Sequence, residues 1–354
     1  MKGLHRVHLV IGIWSILALL LSSTFVSAET VTLKYATMNA PTSWHHTEFY
    51  VKWAEKVEKL TEGRVKIKIY PAQTLGKAPS FFDLVKTGVA DIALGVTAYN
   101  PGQFPLTEML SLPILPLPNA SAASATLWEL YEKYPEMQKE YEGTTLLHFG
   151  NTSPAMIINN KRPVHNLADL QGLQLRVAGS RAADAVTRLG AVPVSISISE
   201  MYVAIEKGVV DGVTTVWEAF SQIPVDKLKF ITTVPLYTNQ FWVAANTNSW
   251  NKISKQDQDI IMKECGGMAG SLLEANVFDS AEGPARELTT NWTYSALDEA
   301  ELAKWKALTQ PVHEEYIAEL EKRGLPARAF YNDMMDILER YQQVAKYPLR
   351  RESN

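Results

Sequence analysis

The 354-residue sequence predicts an α/β protein of two lobes that enclose a cleft, with mixed, mainly parallel sheets flanked by helices. Short β-rich runs alternate with amphipathic helical stretches, which is typical of parallel sheets covered by helices. This alternation occurs twice, before and after about residue 152. The chain is also longer than the usual length of a domain with a single hydrophobic core, which favours two lobes.

The N-terminus has the pattern of a cleavable secretory signal. Lys2 and Arg6 give a positive start, residues 9–21 are almost wholly apolar, and residues 26–28 supply the small side chains of a cleavage site. The apolar run is shorter than the roughly 20 residues of a membrane-spanning helix. We expect a signal peptide at 1–28, cleavage after Ala28, and a soluble periplasmic protein without a lipid anchor.

The first lobe is predicted over residues 29–152, with residues 246–290 returning to it in part. β-Branched residues at alternate positions predict its strands, and apolar residues at helical spacing predict its helices. The predicted strands are 31–36, 64–70, 90–96 and 144–149, and the predicted helices are 44–60, 80–87 and 120–141.

The second lobe is predicted over residues 153–245 and repeats the alternation. Its predicted strands are 155–159, 173–177, 192–196, 209–214 and 241–246, and its helices are 180–189 and 200–207. The rest of the chain is predicted to be helical. Ser254 with Asp257 resembles a capping box that would open one long helix over 254–292 bracing both lobes, and further helices follow over 298–354.

Composition and missing motifs argue against several functions. The formal net charge of −4 and the lack of a basic tract argue against nucleic acid as a partner. Nucleophile-elbow, phosphate-loop, dinucleotide-binding and zinc-protease motifs are missing, so we expect neither an enzyme nor a cofactor. Cys265 is the single cysteine, and the adjacent His45 and His46 are expected near solvent on a helix, so no metal site is predicted.

One long segment carries a specific resemblance. Residues 167–218 contain GLQLRV at 172–177 and VVDG at 209–212, while EGRVKIKIYPAQTLG at 62–76 and LVKTGVADIAL at 84–94 precede them. Together they resemble the solute-binding subunits of tripartite ATP-independent periplasmic (TRAP) transporters, the C4-dicarboxylate-type family. The resemblance implies a two-lobed, type II-like periplasmic-binding-protein fold and partnership with small and large membrane permease subunits.

Arg176 is the strongest candidate for a ligand contact. Leu175 and Val177 alternate toward one face of their strand, so Arg176 projects from the other face near the strand end, where ligands bind in such sheets. A planar guanidinium matches a carboxylate in geometry and stays charged at every relevant pH. The resemblance implies that this arginine forms a two-pronged salt bridge with the ligand carboxylate.

Further candidates lie at strand ends and loops that face the predicted cleft. The resemblance places a polar ligand contact at Thr215, and Trp217 just beyond it could form a wall of the site. The remaining candidates are Asn39, Tyr99, Asn151, Phe241 and Trp242.

The expected function is capture of a small organic anion by closure of the lobes of a monomeric protein, and its delivery to the permease. Sialic acid is not expected, because residues 151–160 lack the second arginine of sialic-acid binders and Ile198 stands where they have an aromatic residue. The ligand classes left open are hydroxy, keto, dicarboxylic and aromatic acids and sulfonates. The alternatives are a receptor of an ATP-driven transporter and a ligand-presenting sensor. A periplasmic enzyme would need a nucleophile and a base next to each other, and the sequence contains no motif that predicts such a pair.

Overall fold

Residues 30–345 are described in the computed structural model, so the predicted signal peptide lies outside the described residues. Alternating β-branched and aromatic residues form the strands, as their preference for a pleated, half-buried surface requires. In chain order the described strands are β1 (Val31–Ala36), β2 (Val65–Tyr70), β3 (Ile92–Val96), β4 (Thr144–Asn151), β5 (Met156–Asn159), β6 (Gln174–Val177), β7 (Val192–Ser195), β8 (Gly212–Thr215), β9 (Phe230–Thr233), β10 (Gln240–Asn246) and β11 (Thr293–Ala296).

The strands form two mixed sheets, one in each lobe. The first has the order β2-β1-β3-β10-β4, in which β10 is antiparallel to both neighbours and the other pairs are parallel. The second has the order β11-β9-β5-β8-β6-β7, in which β5 is antiparallel to both neighbours. Each lobe is thus a mainly parallel sheet with one reversed strand, which confirms the predicted fold class.

Helices cover the sheets and make up most of the chain after β10. In chain order they are α1 (Val51–Leu60), α2 (Phe81–Thr87), α3 (Ala120–Lys133), α4 (Pro135–Lys139), α5 (Leu167–Leu170), α6 (Ser180–Arg188), α7 (Ile198–Glu206), α8 (Thr247–Trp250), α9 (Lys255–Cys265), α10 (Gly267–Asp279), α11 (Glu282–Leu288), α12 (Glu299–Lys322) and α13 (Ala327–Ala345). Within residues 30–345 none of these helices is long and apolar enough to cross a membrane.

The single helix predicted over 254–292 is wrong, because the chain forms α9, α10 and α11 there. The first break is at Gly266, whose backbone is extended, with φ −117° and ψ −173°. A Cβ at Gly266 would lie 2.8 Å from the Met262 sulfur and 3.1 Å from the Leu147 carbonyl oxygen, so a larger residue would force its neighbours to shift. The helix that contacts both lobes is instead α12. Its Glu301 accepts a hydrogen bond from the Leu167 amide of the second lobe (2.8 Å), and its Tyr316 donates one to the Pro105 carbonyl of the first (2.9 Å).

The lobe boundary also differs from the sequence prediction. The prediction ends the second lobe at residue 245 and so assigns residues 241–245 to it, but β10 lies in the first sheet, between β3 and β4. Two strands of the second sheet, β9 and β11, were not predicted. The chain therefore crosses between the lobes three times, after β4, after β9 and again between β10 and β11. The first two crossings contribute Thr152 and Asn239 to the cleft.

Candidate functional site

A cavity lies between the two lobes. Strands β1, β3, β6 and β8 all end at its walls, because the carboxyl ends of parallel strands meet at one edge of a sheet. The first lobe contributes Met38, Asn39, His45, Val96, Tyr99 and Phe241, the second contributes Arg176, Ala178, Ile198, Thr215, Val216, Glu218 and Ala219, and the crossing segments contribute Thr152 and Asn239.

Arg176 is the cationic side chain in the second lobe's wall. Its neighbours Leu175 and Val177 are fully buried on the opposite face of β6, so the arginine side chain points into the cavity, where it is 4% exposed. Its Nε donates a hydrogen bond to the Ile196 carbonyl, at 2.7 Å. In the part of the chain that the structure describes, no carboxylate forms an ion pair with this guanidinium. The Nε contact fixes the plane of the guanidinium, and both terminal nitrogens remain available to a ligand.

The backbone around Arg176 is held by buried hydroxyl groups. Thr214 donates to the Arg176 carbonyl at 3.0 Å and is also hydrogen-bonded to the Tyr237 hydroxyl. Burial raises the pKa of Tyr237, while hydrogen bonding and the positive charge of Arg176 act in the opposite direction. The tyrosine therefore stays neutral and does not neutralise the arginine.

Several hydrogen bonds cross the cleft and hold the lobes together. The Ile198 amide donates to the Tyr99 hydroxyl (3.0 Å), and the Asn39 side chain donates to Gln222 (3.3 Å). Asn39 is itself fixed by the hydroxyl of Tyr50, which donates to its side-chain oxygen at 2.8 Å. The arrangement is that of a closed cleft.

Two buried histidines and two buried glutamates lie at or next to the cavity: His45 and Glu218 line it, and His148 and Glu274 do not. His45 Nε2 is 3.1 Å from one oxygen of Glu274, and His148 Nε2 is 3.3 Å from the other. Burial acts to raise the pKa of Glu274, but the two imidazoles outweigh it and hold that pKa below its ordinary value. Burial also raises the pKa of Glu218, and His45 only partly offsets this effect.

Five of the eight residues predicted from the sequence line this one cavity: Asn39, Tyr99, Arg176, Thr215 and Phe241. Three do not. Trp242 is fully buried in the first lobe and packs on Phe82, because it points to the opposite face of β10 from Phe241. Trp217 packs against Phe220 and the Arg286 guanidinium, and Asn151 is buried next to Thr152.

Sequence analysis missed His45, Glu218, Thr152 and Asn239. The expectation that His45 lies near solvent is wrong, since this ring is 1% exposed and stacks on Tyr50. Besides the nearby Tyr50, the ring contacts Phe278 of α10 and Phe241 of β10, and no local pattern indicates these distant partners. Within residues 30–345, no group of three or more His, Cys, Asp or Glu side chains is placed to hold a metal ion.

Comparisons with known proteins agree on one family. Residues 35–320 match the model of the bacterial extracellular solute-binding proteins, family 7. A TRAP solute-binding protein of Rhodoferax ferrireducens, solved with copurified benzoate, is 26% identical, with a TM-score of 0.84 over 89% of this chain and 100% of that one. A marine metagenome TRAP protein specific for aromatic acids, solved with 3-hydroxybenzoate, is 28% identical, with a TM-score of 0.83 over 88% and 99%.

A curated relative extends the comparison beyond aromatic acids. The 2,3-diketo-L-gulonate-binding periplasmic protein of Escherichia coli is 23% identical over 70% of this chain and 78% of its own. The family match covers more than half of the chain and agrees with the two-lobed fold and its interlobe cavity. The chain therefore belongs to family 7 of the bacterial extracellular solute-binding proteins, the family of TRAP solute-binding proteins.

Proposed function

We propose that this protein captures a small organic carboxylate between its lobes and delivers it to the membrane subunits of a TRAP transporter. The observation that carries the proposal is Arg176, a buried guanidinium without an acidic partner among the described residues, facing a closed cavity. Burying an unpaired charge costs free energy, and a carboxylate ligand would supply the missing partner. The ligands of the structurally similar proteins, benzoate and 3-hydroxybenzoate, are carboxylates as well.

Closure of the lobes would follow from the position of the arginine. Arg176 and Ile198 belong to the second lobe and Tyr99 to the first, so a ligand bound to Arg176 lies against the hydrogen bond that joins them. A ligand that contacts both walls has higher affinity for the closed form than for the open form. That difference in affinity is what shifts the population toward closure.

A thermal-shift screen of the processed protein against an organic-acid library tests this proposal. A ligand at 100 times its dissociation constant stabilises the folded state by about 2.7 kcal/mol, which such a screen resolves. We expect carboxylates to give the largest shifts and neutral sugars to give none.

Arg176→Ala is the decisive variant. Truncating one partner of a buried charge pair costs about 3 kcal/mol, so affinity for the best carboxylate should fall about 100-fold. Arg176→Lys should recover little, because an ammonium cannot form the two parallel hydrogen bonds. The matched control is Arg188→Ala, which removes a partly exposed arginine of the same lobe that pairs with Glu315 on α12. Unchanged affinity in Arg176→Ala would refute the assignment.

The stability of the ligand-free variant provides an independent check. Because Arg176 is buried and lacks an acidic partner, replacing it removes a desolvated charge. Ligand-free Arg176→Ala should therefore be at least as stable as the wild type in urea. Export is part of the proposal, and mass spectrometry of the secreted protein should find Glu29 at its N-terminus.

A further inference from the structure

We propose that Glu218 selects the class of ligand: a monocarboxylate whose far end carries a hydroxyl group is favoured, and a dicarboxylate is rejected. This inference rests on the proposed function, which assigns the ligand's carboxylate to Arg176. It concerns a second position in the same cavity.

Glu218 is a buried acid at the cavity wall. It belongs to the short 3₁₀ helix Trp217–Gln222, is 4% exposed, and lines the cavity with its neighbour Ala219. Gln222 donates a hydrogen bond of 3.4 Å to one of its oxygens. Among the ion pairs formed within residues 30–345, none involves Glu218, so its carboxyl group can accept further hydrogen bonds from a ligand.

Glu218 and Arg176 line the same cavity but are held from different lobes. The backbone amide of His45, a first-lobe residue, donates a hydrogen bond to the Glu218 carboxyl group, whereas the Arg176 guanidinium donates to the Ile196 carbonyl of the second lobe. Among residues 30–345 the two side chains form no ion pair with each other. Val96, Val216 and Phe241 add apolar surface to the wall. The cavity therefore offers a cation and an acid at separate positions.

The acidic position disfavours a second negative charge. Glu218 shares the cavity wall with His45, whose Nε2 lies 3.1 Å from the buried Glu274. A ligand carboxylate at this position would meet like charges in a site with little water, where such repulsion is strong. A ligand hydroxyl would instead donate a hydrogen bond to Glu218, and hydrogen bonds to charged acceptors are worth about tenfold or more in affinity.

Two matched series of probes test the inference by titration calorimetry at pH 8. The aromatic series is benzoate, 3- and 4-hydroxybenzoate, isophthalate and terephthalate. The aliphatic series is pentanoate, 5-hydroxypentanoate and glutarate. In at least one series we expect a hydroxy acid to bind the wild type about tenfold more tightly than its parent, and each diacid to bind about tenfold more weakly.

Glu218→Gln should change this discrimination, which is measured as the ratio of each probe's affinity to that of the parent acid in the same variant. The diacid penalty and the hydroxyl advantage should each shrink to less than about threefold, because the amide removes the negative charge and is a weaker acceptor. Glu321→Gln, at an exposed position of α12, is the matched control and should bind every probe as the wild type does.

The outcomes separate this inference from the proposed function. If Arg176→Ala abolishes binding but Glu218→Gln keeps the wild-type ratios, only the role of Glu218 is refuted. A wild-type protein that binds a diacid as tightly as its parent, or that binds no member of either series, overturns the ligand class without any variant having to fold. Wild-type affinity in Arg176→Ala refutes the proposed function itself.

Discussion

Gly95→Ala should be among the most damaging small substitutions in the first lobe. Gly95 on β3 is paired directly with Trp242 on β10, and the indole ring lies across the glycine. A Cβ at this position would lie 2.0, 2.4 and 2.7 Å from three ring atoms, far inside van der Waals contact. Trp242 is fully buried, so the ring cannot move aside without displacing Phe82 and Phe104.

The expected loss is about 3 kcal/mol of unfolding free energy, the upper end of the usual cost of overpacking a core. Urea denaturation followed by tryptophan fluorescence measures it. Gly283→Ala is the matched control, because Gly283 lies in α11 with open space around the added methyl group. That variant should gain up to about 1 kcal/mol from helix propensity. The double variant Gly95→Ala/Trp242→Leu should recover part of the loss.

Urea denaturation and ligand titration of Trp242→Leu distinguish a core role for Trp242 from a role as a ligand contact. A core role predicts that Trp242→Leu lowers stability while ligand affinity stays near that of the wild type. If Gly95→Ala proves as stable as the wild type, the packing described for β3 and β10 is wrong.

Three further predictions concern closure, pH and the thiol. Tyr99→Phe removes the acceptor of the Ile198 amide across the cleft, so ligand affinity should fall about fivefold, at about 1 kcal/mol per hydrogen bond; the exposed Tyr202→Phe should leave it unchanged. Burial raises the pKa of Glu108 to about 7, partly offset by the charge of Arg181. The stability that Glu108 contributes is thus complete below its unfolded pKa and is lost as pH rises through about 7. Urea midpoints of the wild type should therefore fall from pH 5 to pH 8. In Glu108→Gln they should fall by less. Burial raises the pKa of the Cys265 thiol to about 11, so a thiol reagent should label it only in denaturant.

Each of these predictions has an outcome that contradicts it. Equal affinity of Tyr99→Phe and the wild type would mean that the contact across the cleft does not stabilise closure. A Glu108→Gln variant with the full pH dependence of the wild type would assign that dependence to other groups. Rapid labelling of the native protein would show that Cys265 is accessible.

Local sequence patterns were sufficient for most single elements and failed where distant residues decide the structure. The strand at Val31–Ala36 and the helix at Ser180–Arg188 are found nearly where period and composition predict them. Helical periodicity continues across residues 254–292, yet packing requires the break at Gly266, where a side chain would collide with Met262 and the Leu147 carbonyl. The short strands β9 and β11 are recognised by their pairing, β11 with β9 and β9 with β5, which no local pattern reveals.

The site residues likewise divide into those that a local pattern could predict and those that it could not. Arg176 could be predicted because one strand positions it, and its alternation with buried neighbours is local. His45 could not, because its place in the same cavity depends on how the two lobes meet. Glu218 could not, because it belongs to a short 3₁₀ helix after β8 whose orientation no local pattern fixes. Trp242 was misassigned for the opposite reason: the strand was predicted, but the face that the indole occupies depends on the glycine opposite it on β3.

The position of β10 in the first sheet has a consequence for biosynthesis. Strands β3 and β4 are joined only through residues 240–246, which leave the ribosome after nearly the whole second sheet. Until then the nascent N-terminal half exposes two unpaired strand edges and cannot acquire its native order. A fragment that ends before residue 240 should therefore be aggregation-prone, and neither lobe is a contiguous segment that could be excised and expressed alone.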